Sequence, residues 1–337
     1  MKKEIEQYLQ STLERTWNGG KINMAVAKEY ISNLPSLYES DLEFRLLFDW
    51  HFSPAGRRLA PEEIHPLFAF QHHLAHELGK RYELDYQFIH FFILHAMSNL
   101  CGKTVLEIGG SLPNELLFEL FGISKYINTE SPDYIKAESG SAYSAKHGEH
   151  PNRTTLCVNA EDLNQSLQPE SVDTIFSVAC FEHIYGLESA LQCCHEATKQ
   201  GGLLYSFFAP IYSYIIDGDH HTIPPCEIFS PTRPWGLHLL SNKDQRSLLL
   251  SHGMSNPKEI QEFLGEVNFN RVPNRLIYEE YSRILTESPF YVIKLDEVAP
   301  NPNISKQWPR EVARVRKSNP SIGNLHTQGF RVILRKS

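Results

Sequence analysis

Apolar residues recur at helical period through the first hundred positions of the chain. Ile5, Leu9 and Leu13 stand four apart, and the stretches from Pro61 to Arg81 and from Leu84 to Leu100 repeat in the same way, predicting helices. Asn18, Gly19 and Gly20 end the first helix, and His51 to Leu59, with Pro54 and Gly56, reads as a loop. After Gly102 the pattern changes. Short apolar runs (TVLEIGG, KYINTE, TTLCVNA, VDTIFSVAC and LLYSFFA) alternate with helical segments, and Gly201-Gly202 reads as the turn before the last of them. Such alternation predicts an α/β fold with parallel strands and right-handed crossovers. From Ile211 it lapses into a polar stretch with Pro224, Pro225, Pro231 and Pro234. Helices are expected at Lys243 to His252 and across Arg275 to Thr286. FYVIKLDEV and GFRVILRK are the last strand candidates, joined by a connection containing arginine and proline. The organisation that follows is a helical extension over 1–100 and an α/β domain over 101–337, with insertions at about 211–240 and 253–288.

Composition narrows the function. In 337 residues, 41% are apolar and 21% charged, as in a soluble globular protein. With 32 basic against 40 acidic residues the net charge is −8, which offers no long-range attraction to phosphate backbones or anionic lipid, so neither a nucleic-acid nor a membrane role is expected. The greasiest stretch, FIHFFILHAM from Phe88, is about half a membrane span, and the opening MKKEIEQYLQ has no apolar core. Cys101, Cys157, Cys180, Cys193, Cys194 and Cys226 show no CxxC spacing and read as reduced thiols, which places the chain in a reducing cytoplasm.

The segment KTVLEIGGSLPNELLFELFG joins a buried strand to a helix start through an acid and two glycines, Glu107, Gly109 and Gly110. A cofactor crossing the carboxyl edge of a parallel sheet needs glycine where the backbone comes closest and a carboxylate to accept from its hydroxyl or cationic groups. The same glycines also suit an ordinary strand-to-helix turn. Glu130 ends the next strand 23 residues later, VNAEDL follows the third, ACFEHI the fourth, and KQGGLL introduces the fifth. This ordered set resembles the class I S-adenosylmethionine-dependent methyltransferases, in particular their type 11 branch. The resemblance implies a Rossmann-like, seven-stranded, mostly parallel sheet whose last strand is antiparallel, with S-adenosylmethionine as cofactor. It implies that Glu107, Gly109 and Gly110 border the methionine end, with Ser111 a further cofactor-binding residue and candidate cap, and that Glu130 holds the ribose. Asn159 and the Ala160 backbone would face the adenine, and the Ser177 carbonyl would accept from the amino group. Pro113 replaces the last loop glycine of the family, and Asn159 stands where many relatives carry aspartate. A dinucleotide dehydrogenase fits less well, because GGSLP lacks the GxGxxG order.

Methyl transfer from a sulfonium is an in-line displacement that needs positioning, exclusion of water and, for some acceptors, proton removal. His183 matches a histidine common in this branch, and the segment after the fifth strand adds His220, His221 and His238 as candidate bases. Tyr212, Tyr214 and Trp235 are candidate walls for an acceptor. The segment reads equally well as a polar loop with exposed histidines. His72, His73, His76 and Glu77 lack a further ligand at a defined spacing, so no metal site is expected. The leading expectation is methyl transfer to oxygen or nitrogen of a small organic molecule, with the helical extension covering the cofactor. A peptide or protein side chain as acceptor, and a non-catalytic protein that binds S-adenosylmethionine, are the rivals. The oligomeric state is left open.

Overall fold

The structure is a computed structural model, and it describes residues 3–18, 21–53, 66–82, 85–133, 149–216, 236–269 and 274–337. Five helices come first: α1 (Lys3–Thr16), α2 (Met24–Ser40), α3 (Leu42–His51), α4 (Pro66–Tyr82) and α5 (Asp85–Ser98). After α1, the strand β1 (Trp17–Asn18) pairs antiparallel with β2 (Lys21–Ile22). Asn23 caps α2 by accepting from the amides of Ala25 and Val26, and Asp41 caps α3 by accepting from Phe44 N.

The α/β part begins with β3 (Thr104–Ile108), β4 (Lys125–Glu130), β5 (Arg153–Cys157) and β6 (Val172–Val178), then α6 (Leu187–Ala197) and β7 (Thr198–Phe208). Helices α7 (Asn242–Ser251), α8 (Pro257–Phe269) and α9 (Tyr278–Thr286) lead to β8 (Tyr291–Val298), and α10 (Ile304–Gln307) and α11 (Pro309–Ser318) to β9 (Gly329–Arg335). The sheet order is β5-β4-β3-β6-β7-β9-β8, parallel from β5 to β7, with β9 antiparallel to both its neighbours. The expected seven-stranded Rossmann-like sheet is therefore present.

Two expectations change. Gly201-Gly202 is not a turn ahead of a strand: β7 runs through both, and the pairing with β6 shifts register between Val172 and Thr174. Gly201 has φ +75°, and a Cβ on Gly202 would stand 2.7 Å from the Asp173 carbonyl oxygen, so the pair forms a bulge that only glycine accommodates. The connection between the last two strands also folds, into α10 and α11. Pro309 opens α11, Glu311 lies in its first turn and Arg316 and Lys317 in its last, which are end signals for a helix whose buried stripe is only Glu311, Val312 and Val315.

The apolar run at Phe88 is a core helix. Phe88, Phe91, Phe92, Ile93, Leu94 and Ala96 of α5 are all buried, because α5 lies between the sheet and helices α2 to α4 in one continuous core that includes Val105, Phe176 and Tyr205. Among the described residues no helix is long and apolar enough to cross a membrane. Its buried polar groups are paired. His90 Nδ1 and the Tyr205 hydroxyl share a hydrogen bond of 2.5 Å, and the His90 ring stacks on Phe207. His95 donates from Nε2 to the Ile31 carbonyl at 2.9 Å and accepts at Nδ1 from Leu100 N, and burial pushes its pKa down to about 4, so it stays neutral. On the opposite sheet face α6 and α9 cover a second core. Residues between Ile215 and Leu264 join Ile304 to Leu325 in a third.

Arg331 fastens the extension to the antiparallel end of the sheet. From β9 it donates to the Asp296 carboxylate on β8 and to the Phe52 carbonyl just after α3. Arg331→Leu leaves both acceptors without this donor. Because Asp296 is partly solvated, the expected loss is about 2 to 3 kcal/mol, read by urea unfolding. An unchanged midpoint would mean that the extension is held by apolar packing alone.

Candidate functional site

Strand β3 has β4 on one side and β6 on the other, so crossovers leave it in opposite directions and open a crevice at its carboxyl end. A cavity of about 690 Å³ lies there. Its apolar lining comes from Ile108, Val158, Ala160, Val178 and Ile184, and its polar lining includes Thr129, Glu130, Asn159, Glu161 and His183. Few polar groups on an apolar floor is the usual make-up of a small-molecule site.

Gly109 turns the chain out of β3 with φ +66°, and its N–H donates to the Thr129 carbonyl at 3.0 Å. A Cβ there would sit 2.2 Å from Cys180 Sγ, so the loops after β3 and β6 meet as closely as glycine allows. Beside this contact Ala179 has φ +54°, a costly conformation for a residue with a Cβ, and its N–H is held by the Phe207 carbonyl at 2.8 Å. Burial pushes the Cys180 thiol up, so the sulfur facing Gly109 stays protonated.

The two strand-end acids differ in what they face. Glu130 lines the cavity, and burial, followed by the charge of Glu107, pushes its pKa up to about 7. Glu107 lies beneath Gly110, where a Cβ would stand 2.3 Å from its Oε1, and its carboxylate accepts from the Tyr126 hydroxyl. Its own pKa is also pushed up to about 7 by burial, against the opposing effects of the Tyr126 hydrogen bond and the Arg153 charge. Asn128, paired with Glu107 in register, is fully buried; its Oδ1 accepts from Thr155, and its Nδ2 has no acceptor among the described residues.

Of the residues singled out from the sequence, Gly109, Gly110, Glu130, Asn159, Ala160 and His183 line the cavity together. Glu107, Ser111 and Ser177 are buried outside its lining. Ser111 Oγ bonds the Arg153 guanidinium, and the Ser177 hydroxyl donates to the Ile108 carbonyl at 3.1 Å. Tyr212, Tyr214 and His238 also lie outside the lining. The Tyr212 hydroxyl donates to the His238 carbonyl and His238 Nε2 to the Tyr212 carbonyl, both at 3.0 Å, in the third core. His220, His221 and Trp235 lie outside the described residues, as do the side chains of His72 and His73.

Tertiary packing adds residues that no local pattern marks. Gln87, at the start of α5, brings the extension into the lining, and exposed Tyr185 borders it on the far side. Asn274 holds the loop after β6: its Nδ2 donates to the carbonyls of Phe181 and Ile184, its N–H to that of Glu182, and its Oδ1 accepts from the Tyr281 hydroxyl. That hydrogen bonding fixes the turn carrying Cys180, His183 and Tyr185.

The loop contact is open to a double-mutant cycle. Gly109→Ala should cost about 1 to 2 kcal/mol for the left-handed backbone and about as much again for the collision with Cys180. In a Cys180→Gly background only the backbone part should remain, as read by denaturant unfolding. Equal costs in both backgrounds would mean that the loops move apart freely.

Residues 122–206 match the model of a family described as a methyltransferase domain, a span that includes Glu130, Asn159, Ala160 and His183. No curated protein matches the chain. Among solved structures it is similar to an S-adenosylmethionine-dependent methyltransferase from Mesorhizobium loti at 12% identity, over 71% of this chain and 93% of that one, with a TM-score of 0.39. It is also similar to phosphoethanolamine N-methyltransferase 2 from Haemonchus contortus, in complex with S-adenosyl-L-methionine, at 13% identity over 90% of this chain and 60% of that one, with a TM-score of 0.37. The matched methyltransferase domain spans β4 to most of β7, in a sheet whose cavity lies at the carboxyl end of β3.

Proposed function

We propose that the enzyme methylates oxygen or nitrogen of a small organic molecule received beside the cofactor, between the loop after β6 and the helical extension. The observation that carries this reading is the mixed lining of the cavity, in which Gln87 of α5 faces the same space as His183 and Tyr185. The residues present suit the cofactor: a left-handed glycine at the closest backbone approach, a buried carboxylate at the end of β4, and an amide side chain after β5. When bound, S-adenosylmethionine supplies a sulfonium methyl group to an attacking lone pair and leaves as S-adenosylhomocysteine. In this assignment Glu130 accepts from the ribose hydroxyls and Asn159, with the Ala160 backbone, meets the adenine. Gly109 and Gly110 leave room for the methionine end, and Glu107 supports them from beneath. His183, which lines the cavity, would take the proton from a hydroxyl acceptor.

Calorimetry with S-adenosylhomocysteine tests the cofactor assignment. Glu130→Ala should weaken binding by about 1.5 to 3 kcal/mol, the range for hydrogen bonds to a charged group. Ribose hydroxyls donate to the ionised carboxylate, so affinity should be full above pH 7 and fall as pH drops through the Glu130 pKa of about 7, by up to roughly tenfold per pH unit. A flat profile, or no heat from folded protein, would remove Glu130 from the site.

Incubating a metabolite extract with labelled S-adenosylmethionine and identifying the labelled product tests the acceptor. For a hydroxyl acceptor, His183→Ala should lower turnover about a hundredfold while leaving S-adenosylhomocysteine affinity unchanged. Label appearing only in protein would overturn the small-molecule reading.

A further inference from the structure

The loop that carries Gly109 and Gly110 continues through Ser111, Leu112 and Pro113 to Asn114, and it is held from below by two side chains that the reaction does not use. Tyr126 on β4 pairs in register with Val105 on β3 and with Arg153 on β5, so Tyr126 and Arg153 stand side by side on the sheet face that carries Glu107. The Tyr126 hydroxyl accepts from Leu112 N at 3.1 Å and donates to Glu107. Arg153 Nη1 donates to the Leu112 carbonyl at 2.8 Å and to Asn114 Oδ1 at 3.0 Å, and Nη2 to Ser111 Oγ. The guanidinium also lies over the Tyr126 ring, 5.0 Å from its centre. Both backbone polar groups of Leu112 are thus taken up by side chains of neighbouring strands. Only a planar donor fork can reach three acceptors in this way.

We propose that Tyr126 and Arg153 are positioning residues that preset the 109–114 loop for S-adenosylmethionine, a role that rests on the cofactor reading above. Pro113 removes a backbone donor and fixes one dihedral in this loop, and the two side chains fix most of the remaining freedom. The cofactor then meets a loop already ordered and does not bear the entropy of ordering it.

The experiment combines S-adenosylhomocysteine calorimetry with amide exchange on the ligand-free full chain, for wild type, Tyr126→Phe and Arg153→Lys. Thr198→Val removes a buried hydroxyl remote from the cavity, bonded to the Cys194 carbonyl, and serves as the stability control. Both clamp variants should bind about tenfold more weakly, with the loss mainly in entropy, and exchange should quicken in peptides covering 105–121 while those of β6 and β7 stay protected. The control should lose stability without either change. Lysine keeps the charge of Arg153 but not the fork, so charge alone should not rescue binding. Wild-type affinity in both variants, or equal weakening in the control, would overturn the proposal; if Tyr126→Phe fails to fold, Arg153→Lys at its half-buried site decides alone. Failure of the wild type to bind would instead overturn the cofactor reading, and this proposal with it.

Discussion

The approach of Gly109 to Cys180 sets the shape of the site. Two parallel strands, β3 and β6, end side by side, and the chain must leave each without filling the space over their carboxyl ends. It does so with a left-handed glycine in one loop and a left-handed alanine in the other, each tied to a neighbouring strand by a backbone hydrogen bond. Such conformations persist only where the surroundings over-determine them. Asn274 supplies that constraint for the second loop, through hydrogen bonds to three of its carbonyls.

The helical extension and the seven-stranded sheet share one core on this face. Helix α5 is apolar on nearly every side because it has neighbours on nearly every side, and Gln87, which it contributes to the cavity lining, lies near its start. A rigid buried helix can therefore present a polar group to the site without a separate hinge. The His90 to Tyr205 hydrogen bond and the Arg331 link to Phe52 fix the extension to two adjacent strands of the sheet, β7 and β9.

The sheet was legible in the sequence because each central strand is a short, nearly continuous apolar run, buried on both faces, and because strand-end residues such as Glu130, Asn159 and Gly109 take their places from local chain order. Position within the third core was not legible. A histidine in a polar, proline-rich stretch looks the same whether it lines a cavity or, like His238, exchanges hydrogen bonds with a tyrosine in a core. Gly201-Gly202 has the composition of a turn, and only the register of the neighbouring strand makes it a bulge. Helix α11 has too few apolar residues for its period to show, and Gln87 and Asn274 reach the site through packing that local pattern does not encode.

The third core is assembled from two segments that flank β8, so its members on either side are separated by loops of roughly forty residues or more, Leu264 and Ile304 being the nearest in sequence. Neither segment has an apolar partner near it in the chain large enough to bury its stripe alone. The pairing of β8 with β9, and of β9 with β7, fixes the chain between and after these segments. Non-local contacts of this kind slow folding, because the loops between the segments must close before burial offsets that cost.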